Sequence, residues 1–188
     1  MRDRFGAMRL GIADHLGWAV AVTASDRHHV VDRRRIELVE PGMSQAPIHH
    51  ESRRLDADAT EALVLDTRVS IAQAAAAALD ELAASLPAPI VSMSLRAWPP
   101  DFPDDIAVLR RSPWEARADA VMYRQELSEL AHERGWDVCV YSAKDVVGRA
   151  ERVLGARADA ILNGPRERLG PPWTKDHRIA LAATVVAR

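Results

Sequence analysis

Hydrophobic and polar positions divide the chain into strand-like segments followed by alternating helices and strands. Within Arg9 to Thr23 lie two short apolar runs, the second rich in Val and Ala, and Asp14-His15-Leu16-Gly17 between them reads as a hairpin turn. A polar turn at Ala24-Ser25-Asp26-Arg27 leads into HVVDRRRIELVE, where Val30, Asp32, Arg34, Ile36 and Leu38 share one face by period two. This predicts a third strand, antiparallel to the second, with its three arginines at a sheet edge. Residues 41 to 60 are polar and carry Pro41, Gly42 and Pro47, so they read as a long connection that is either functional or disordered. Val69, Ala72, Ala76, Leu79, Ala83 and Leu86 then recur at helical spacing until Pro87 and Pro89 end the run.

The segment PIVSMSLRAWPP predicts a fourth strand, with Met93 and Leu95 on one face and Ser92, Ser94 and Arg96 on the other. An irregular, proline-punctuated excursion separates it from a helix over roughly residues 115 to 134, whose core face is Ala120, Tyr123, Leu127 and Leu130. WDVCVYS follows as a short strand of the kind buried in a parallel sheet. A helix from Ala143 to Leu154, a loop marked by Gly164, Pro165, Gly170, Pro171 and Pro172, and an apolar terminal helix in TKDHRIALAATVVA complete the chain. The predicted fold is α/β: a mixed five-stranded sheet, three antiparallel strands and then two reached by helical crossovers, flanked by helices.

Composition narrows the function classes. The chain has 188 residues, enough for one domain that buries about 70% of its unfolded surface. We expect residues 8–188 to form that domain and residues 1–7, the polar MRDRFGA, to be an extension or disordered. A single cysteine forms no disulfide framework or Cys-rich zinc site and points to a reducing compartment. No apolar run reaches the roughly 20 residues that span a bilayer, so a cytoplasmic protein with no membrane partner is expected. With 25 Lys and Arg against 27 Asp and Glu, the net charge is -2, so any surface that grips nucleic acid has to be local. Walker A, Gly-x-Gly-x-x-Gly and Gly-x-Ser-x-Gly sequences are absent, which removes the common phosphate-loop and serine-hydrolase readings.

Two stretches carry a family resemblance. EARADAVMYRQELSELAHERGWDVCVYSAKDVVGRAERVLG, through Tyr141, Ser142, Lys144, Val146, Val147 and Gly155, resembles the RuvC-type Holliday-junction resolvases of the ribonuclease H-like superfamily. There an alanine-rich helix leads into a strand ending Tyr-Ser-Pro and then a Lys-Val-containing helix. KDHRIALAATVVA is similar to the last helix of that superfamily, and LGIADHLGWAVAV to its first strand. The resemblance implies a ribonuclease H-like fold, a divalent-metal-dependent phosphodiesterase acting on nucleic acid, Mg²⁺ or Mn²⁺ as cofactor, and an isologous homodimer.

The departures bear on chemistry. In the resolvases a carboxylate directly follows Gly-Ile; here that position is Ala13, and Asp14 comes one residue later. Such a slip turns a side chain to the other face unless a bulge restores it. The fourth strand has no glutamate, and the last helix keeps one acid, Asp176, because Trp173 and Ile179 stand three residues to either side. Two-metal nucleases need several carboxylates to hold ions about 3.5 to 4 Å apart. Asp14 and Asp176 are the surviving pair, read either as metal ligands or as a turn residue and a first-turn helix acid.

Glu61, at the start of the first long helix, matches in position a ribonuclease H glutamate and is read either as a further candidate ligand or as an ordinary N-terminal helix acid. His49, His50 and Glu51 in the long connection, with His15 and His177 near the two acids, would suit Zn²⁺ or Mn²⁺ better than Mg²⁺; adjacent histidines point apart in an extended chain, and a solvated loop is the other reading. Lys144 and Lys175 are placed by the resemblance on the catalytic face, where either could contact phosphate. Arg33-Arg34-Arg35, Arg110-Arg111 and Arg166 with Arg168 are read either as local anion patches, with Trp114 or Trp173 for base stacking, or as solvated surface charge. Two readings follow: a metal-dependent nuclease using Asp14, Asp176, His177 and Lys144, or a catalytically degenerate member that keeps the fold for binding or assembly.

Overall fold

Period-two apolar positions in the first third of the chain form three consecutive antiparallel strands. In the computed structural model, which describes residues 6–187, these are β1 (Met8–Asp14), β2 (Trp18–Ser25) and β3 (Val30–Glu37). Residues 1–5 of the expected extension lie outside the described residues. β4 (Ile90–Arg96) pairs parallel with β1, and β5 (Asp137–Tyr141) parallel with β4, so the sheet order is β3-β2-β1-β4-β5. The helices are α1 (Ala57–Ser85), α2 (Ile106–Leu109), α3 (Glu115–Glu133), α4 (Val146–Leu154), α5 (Ala158–Leu162), α6 (Pro165–Leu169) and α7 (Lys175–Val186).

The alternation along β1 fixes what each face of the sheet carries. Met8, Leu10 and Ile12 pack with Met93, Ile71 and Tyr123 under α1 and α3. Ala13, with Val20 and Val22, packs under α4 and α7. The nearly all-round apolar pattern of α7 is explained by its burial, since Ile179 through Val185 are covered on every side by the sheet and α4. α7 lies so close to β1 that Gly11 is the only residue type that fits: a Cβ there would stand 1.9 Å from the carbonyl oxygen of Ala180. Ser94 of β4 donates to the Ala183 carbonyl at 3.3 Å and fixes the same helix from the neighbouring strand.

Four segments differ from the sequence expectation. The connection at 41 to 60 is ordered, with a π-helical turn over Pro47–Glu51 and a 3-10 turn over Ser52–Arg54. The helix expected from Val69 starts at Ala57, where the Asp56 carboxylate accepts from the Ala59 N–H at 2.8 Å. By length and composition alone, this 29-residue helix is apolar enough to cross a membrane; here it packs along α3 and the sheet, with a third of its most apolar window buried. Residues 158–169 form two short helices instead of a loop. Finally, β5 is not buried between strands but is the open edge of the sheet, with Val140 58% exposed.

The Gly11 contact sets a stability prediction. Gly11→Ala forces α7 outward or bends β1, so we expect a loss of about 2 to 3 kcal/mol in urea unfolding, with the folded spectrum retained.

Candidate strand-end site

Because β1, β4 and β5 run parallel, their carboxyl ends share one end of the sheet, joined there by the His15–Gly17 turn and the amino end of α7. β1 reaches this end in regular register, with Ile12, Ala13 and Asp14 opposite Ala21, Val20 and Ala19 and no bulge between them. Period two therefore puts Asp14 on the α1/α3 face with Ile12, whereas Ala13 takes the α7 face. The position that would oppose the acid of α7 is a methyl group.

Asp14 is 2% exposed and meets guanidinium groups rather than acids. Arg124 of α3 donates from Nε to Asp14 Oδ2 at 2.8 Å, and Arg96, at the end of β4, brings its Nε to 3.9 Å from Oδ1. Tyr141, at the end of β5, donates its hydroxyl to the Ile12 carbonyl at 2.6 Å and so ties β5 to β1 across β4. Burial, reinforced by the Asp14 charge, pushes the Tyr141 hydroxyl up to about 12, so it stays a neutral donor.

Asp176 lies on the other face. Its Oδ2 is 3.0 Å from Nε2 of His15, whose ring stacks on Trp18 at 4.1 Å. The Arg35 guanidinium also lies over the Trp18 ring, 4.1 Å from its centre. His177 closes the amino end of α7: the Thr174 N–H donates to its Nδ1 at 3.2 Å, and the Thr174 hydroxyl is 2.9 Å from the same atom. Burial first, and then the Arg33 charge, hold this imidazole below its ordinary 6.5, with Asp176 opposing.

The remaining sequence candidates sit elsewhere. His49, His50 and Glu51 occupy the π-helical turn beside α3, where buried Asp119 accepts from the Ile48 and His49 N–H groups at 2.9 Å each. Glu61 lies on α1 at the rim of a hollow formed with Ile48, Phe102 and Met122, of about 180 Å³. Lys144 is exposed just past β5. The arginines of the first patch, and Arg110 of the second, are occupied. Arg33 donates to the carbonyls of Leu169, Gly170 and Pro172, Arg34 pairs with Asp32, Arg35 with Glu37, and Arg110 holds the carbonyls of Ser52 and Leu55. Among the described residues no group of three or more His, Cys, Asp or Glu could hold a metal ion. The donors that the resemblance assigned to Mg²⁺ or Mn²⁺, and the histidines that would suit Zn²⁺, are thus distributed over both faces, and Asp14, Asp176, His15 and His177 are engaged within the protein.

Sequence reasoning missed Arg124, Asp119 and Arg96 as site residues. A signal for Asp119 existed: it lies one turn before Tyr123 on the apolar stripe of α3, where a charge needs a buried partner. Nothing in local spacing marked Arg124, because its partner is 110 positions away.

No family model matches the chain, and no curated protein matches it. Among solved structures, T. thermophilus RuvC in complex with Holliday junction substrate is similar, with a TM-score of 0.51 and 11% identity over 95% of this chain and 90% of that one. The strand order and this likeness together give the ribonuclease H-like α/β fold.

Two measurements test the geometry. Asp14→Asn leaves Arg124 buried without its counter-charge, so stability falls by about 3 kcal/mol in denaturant unfolding; in a cluster of like-charged metal-binding carboxylates the same change would relieve repulsion. The lowered His177 value makes the α7 cap strongest when the ring is neutral. Its contribution is full above pH 6.5 and is lost as pH falls through the lowered value. His177→Gln, which keeps an acceptor, should flatten thermal stability against pH between 7 and 5.

Proposed function

We propose that the protein is a non-cleaving member of the RuvC-like fold that binds a phosphodiester chain, single-stranded or branched nucleic acid, at the carboxyl end of its sheet. The observation that carries this reading is the Arg124–Asp14–Arg96 cluster. One carboxylate between two guanidinium groups leaves the cluster with a formal charge of +1. A divalent cation placed there would be repelled by both arginines and would find a single carboxylate whose Oδ2 is already held by Arg124. A phosphate is attracted by the same charges, and guanidinium groups match its oxygens in pairs. Arg96 is the accessible member, with about a third of its side chain open to solvent.

Other features support an anionic polymer over a small anion. Lys144 and Lys175 are exposed at the same end of the sheet, beyond β5 and at the start of α7. The similar RuvC was solved with a Holliday junction, which makes branched DNA the first ligand to try. The metal-dependent phosphodiesterase reading requires Asp14 to leave Arg124 and turn to the α7 face, so the degenerate reading is the one these residues favour. Among the described residues the donors do not fit a divalent metal.

Fluorescence anisotropy with a labelled four-way junction and a labelled single strand tests the proposal. Binding at low salt that weakens steeply as salt rises is expected, with no cleavage in Mg²⁺ or Mn²⁺. Arg96→Ala should weaken binding about tenfold and lower the salt slope by about one. Cleavage that requires Mn²⁺ and disappears in Asp14→Asn would establish the nuclease instead, and absence of binding to either substrate at low salt would reject the proposal outright.

A further inference from the structure

The two edges of the sheet are built differently. β3, at one edge, carries Arg33, Arg34 and Arg35, the kind of charged side chains that block strand pairing. β5, at the other, reads Asp-Val-Cys-Val-Tyr, with no Lys, Arg or Pro, and its Val140 is 58% exposed.

The direction of the open backbone groups follows from one hydrogen bond. Ala97 donates to the Tyr141 carbonyl at 2.8 Å, so Tyr141 turns its backbone polar groups toward β4. Backbone groups alternate sides along a strand, hence Asp137 and Cys139 also face β4, and the N–H and C=O of Val138 and Val140 point out from the edge. Unpaired groups on an apolar edge are a template for another strand.

We propose that β5 pairs with the β5 strand of a second copy of this chain, antiparallel about a two-fold axis through Cys139, to make a continuous sheet of ten strands. Such an arrangement is self-complementary. Val138 of each copy meets Val140 of the other as a hydrogen-bonded pair, which uses all four outward N–H and C=O groups on each side. Charge complementarity selects this occupant. Asp137 is exposed at the start of β5, and exposed Arg149 of α4 lines the hollow beside Cys139 and Val140 near its end. Antiparallel pairing carries the Asp137 of each copy toward the Arg149 of the other, and neither residue has an ion-pair partner among the described residues. A parallel pairing of the two copies would instead set Asp137 beside Asp137 and Arg149 beside Arg149.

The pairing puts the two Cys139 residues opposite each other at the non-hydrogen-bonded position. Their Cα atoms would stand about 4.5 Å apart, within the roughly 4.4 to 6.8 Å that a disulfide spans. This offers a specific probe of the register. The proposal stands independently of nucleic-acid binding.

Sedimentation of the full chain over a micromolar concentration series should show a dimer. Diamide should convert that dimer to a disulfide-linked species, each Cys139 thiol giving up one proton and one electron as diamide is reduced to the hydrazine. Val140→Lys should be folded, monomeric and uncrosslinked by diamide. Val140→Pro should behave the same way, because its missing N–H faces away from β4 and the internal ladder survives. Leu65→Lys, on the exposed side of α1, should remain dimeric. A wild-type chain that is monomeric throughout the series, a dimer that survives Val140→Lys, a dimer that Leu65→Lys dissolves, or a dimer that diamide leaves unlinked would each overturn the proposal.

Discussion

A buried carboxylate held by a guanidinium from a distant helix ties together the carboxyl end of the sheet. Asp14 is almost fully enclosed, and a charge so placed needs a partner that is equally fixed. Arg124 supplies it from the middle of α3, and the pair thereby fastens α3 to the last residue of β1. Arg96 approaches the other carboxylate oxygen from β4, and Tyr141 reaches from β5 to the Ile12 carbonyl. Three parallel strand ends and one helix are thus joined through a small set of polar contacts under a lid of apolar packing. The same contacts leave one guanidinium charge uncancelled at this end of the sheet.

The opposite face is organised by backbone proximity. Gly11 allows α7 to lie against β1, and Ala180 and Ala183 keep that approach close along the helix. With the helix so near, its first-turn acid is drawn to the turn after β1, where His15 receives it, and His177 turns back to cap the helix. Asp14 and Asp176 therefore end beside different partners on different faces, although their positions in the chain invite a comparison with paired metal ligands.

The strand order was legible because each strand has a clear period or apolar run, and each crossover helix has its own stripe and a proline or glycine stop. The one-residue slip at Ala13 and Asp14 was also legible, and the regular register of β1 gives it the meaning that period two suggests. The edge position of β5 was not. A short Val-rich run looks the same whether both sides of the strand are paired or one is open, since that depends on how many strands follow it. The order of residues 41 to 60 was hidden for a related reason: the buried Asp119 that holds this connection is about 70 positions away, and a polar segment pinned by a distant carboxylate has the composition of a disordered one.

We infer that Asp14 serves the fold as the counter-charge of Arg124 and not as a metal ligand. A double-mutant cycle with Asp14→Asn and Arg124→Gln, read by denaturant unfolding in the presence and absence of Mn²⁺, measures it directly. A coupling energy of about 2 to 3 kcal/mol between the two positions, unchanged by Mn²⁺, is the predicted result. Additive effects of the two substitutions, or a stabilisation by Mn²⁺ that Asp14→Asn abolishes, would contradict it.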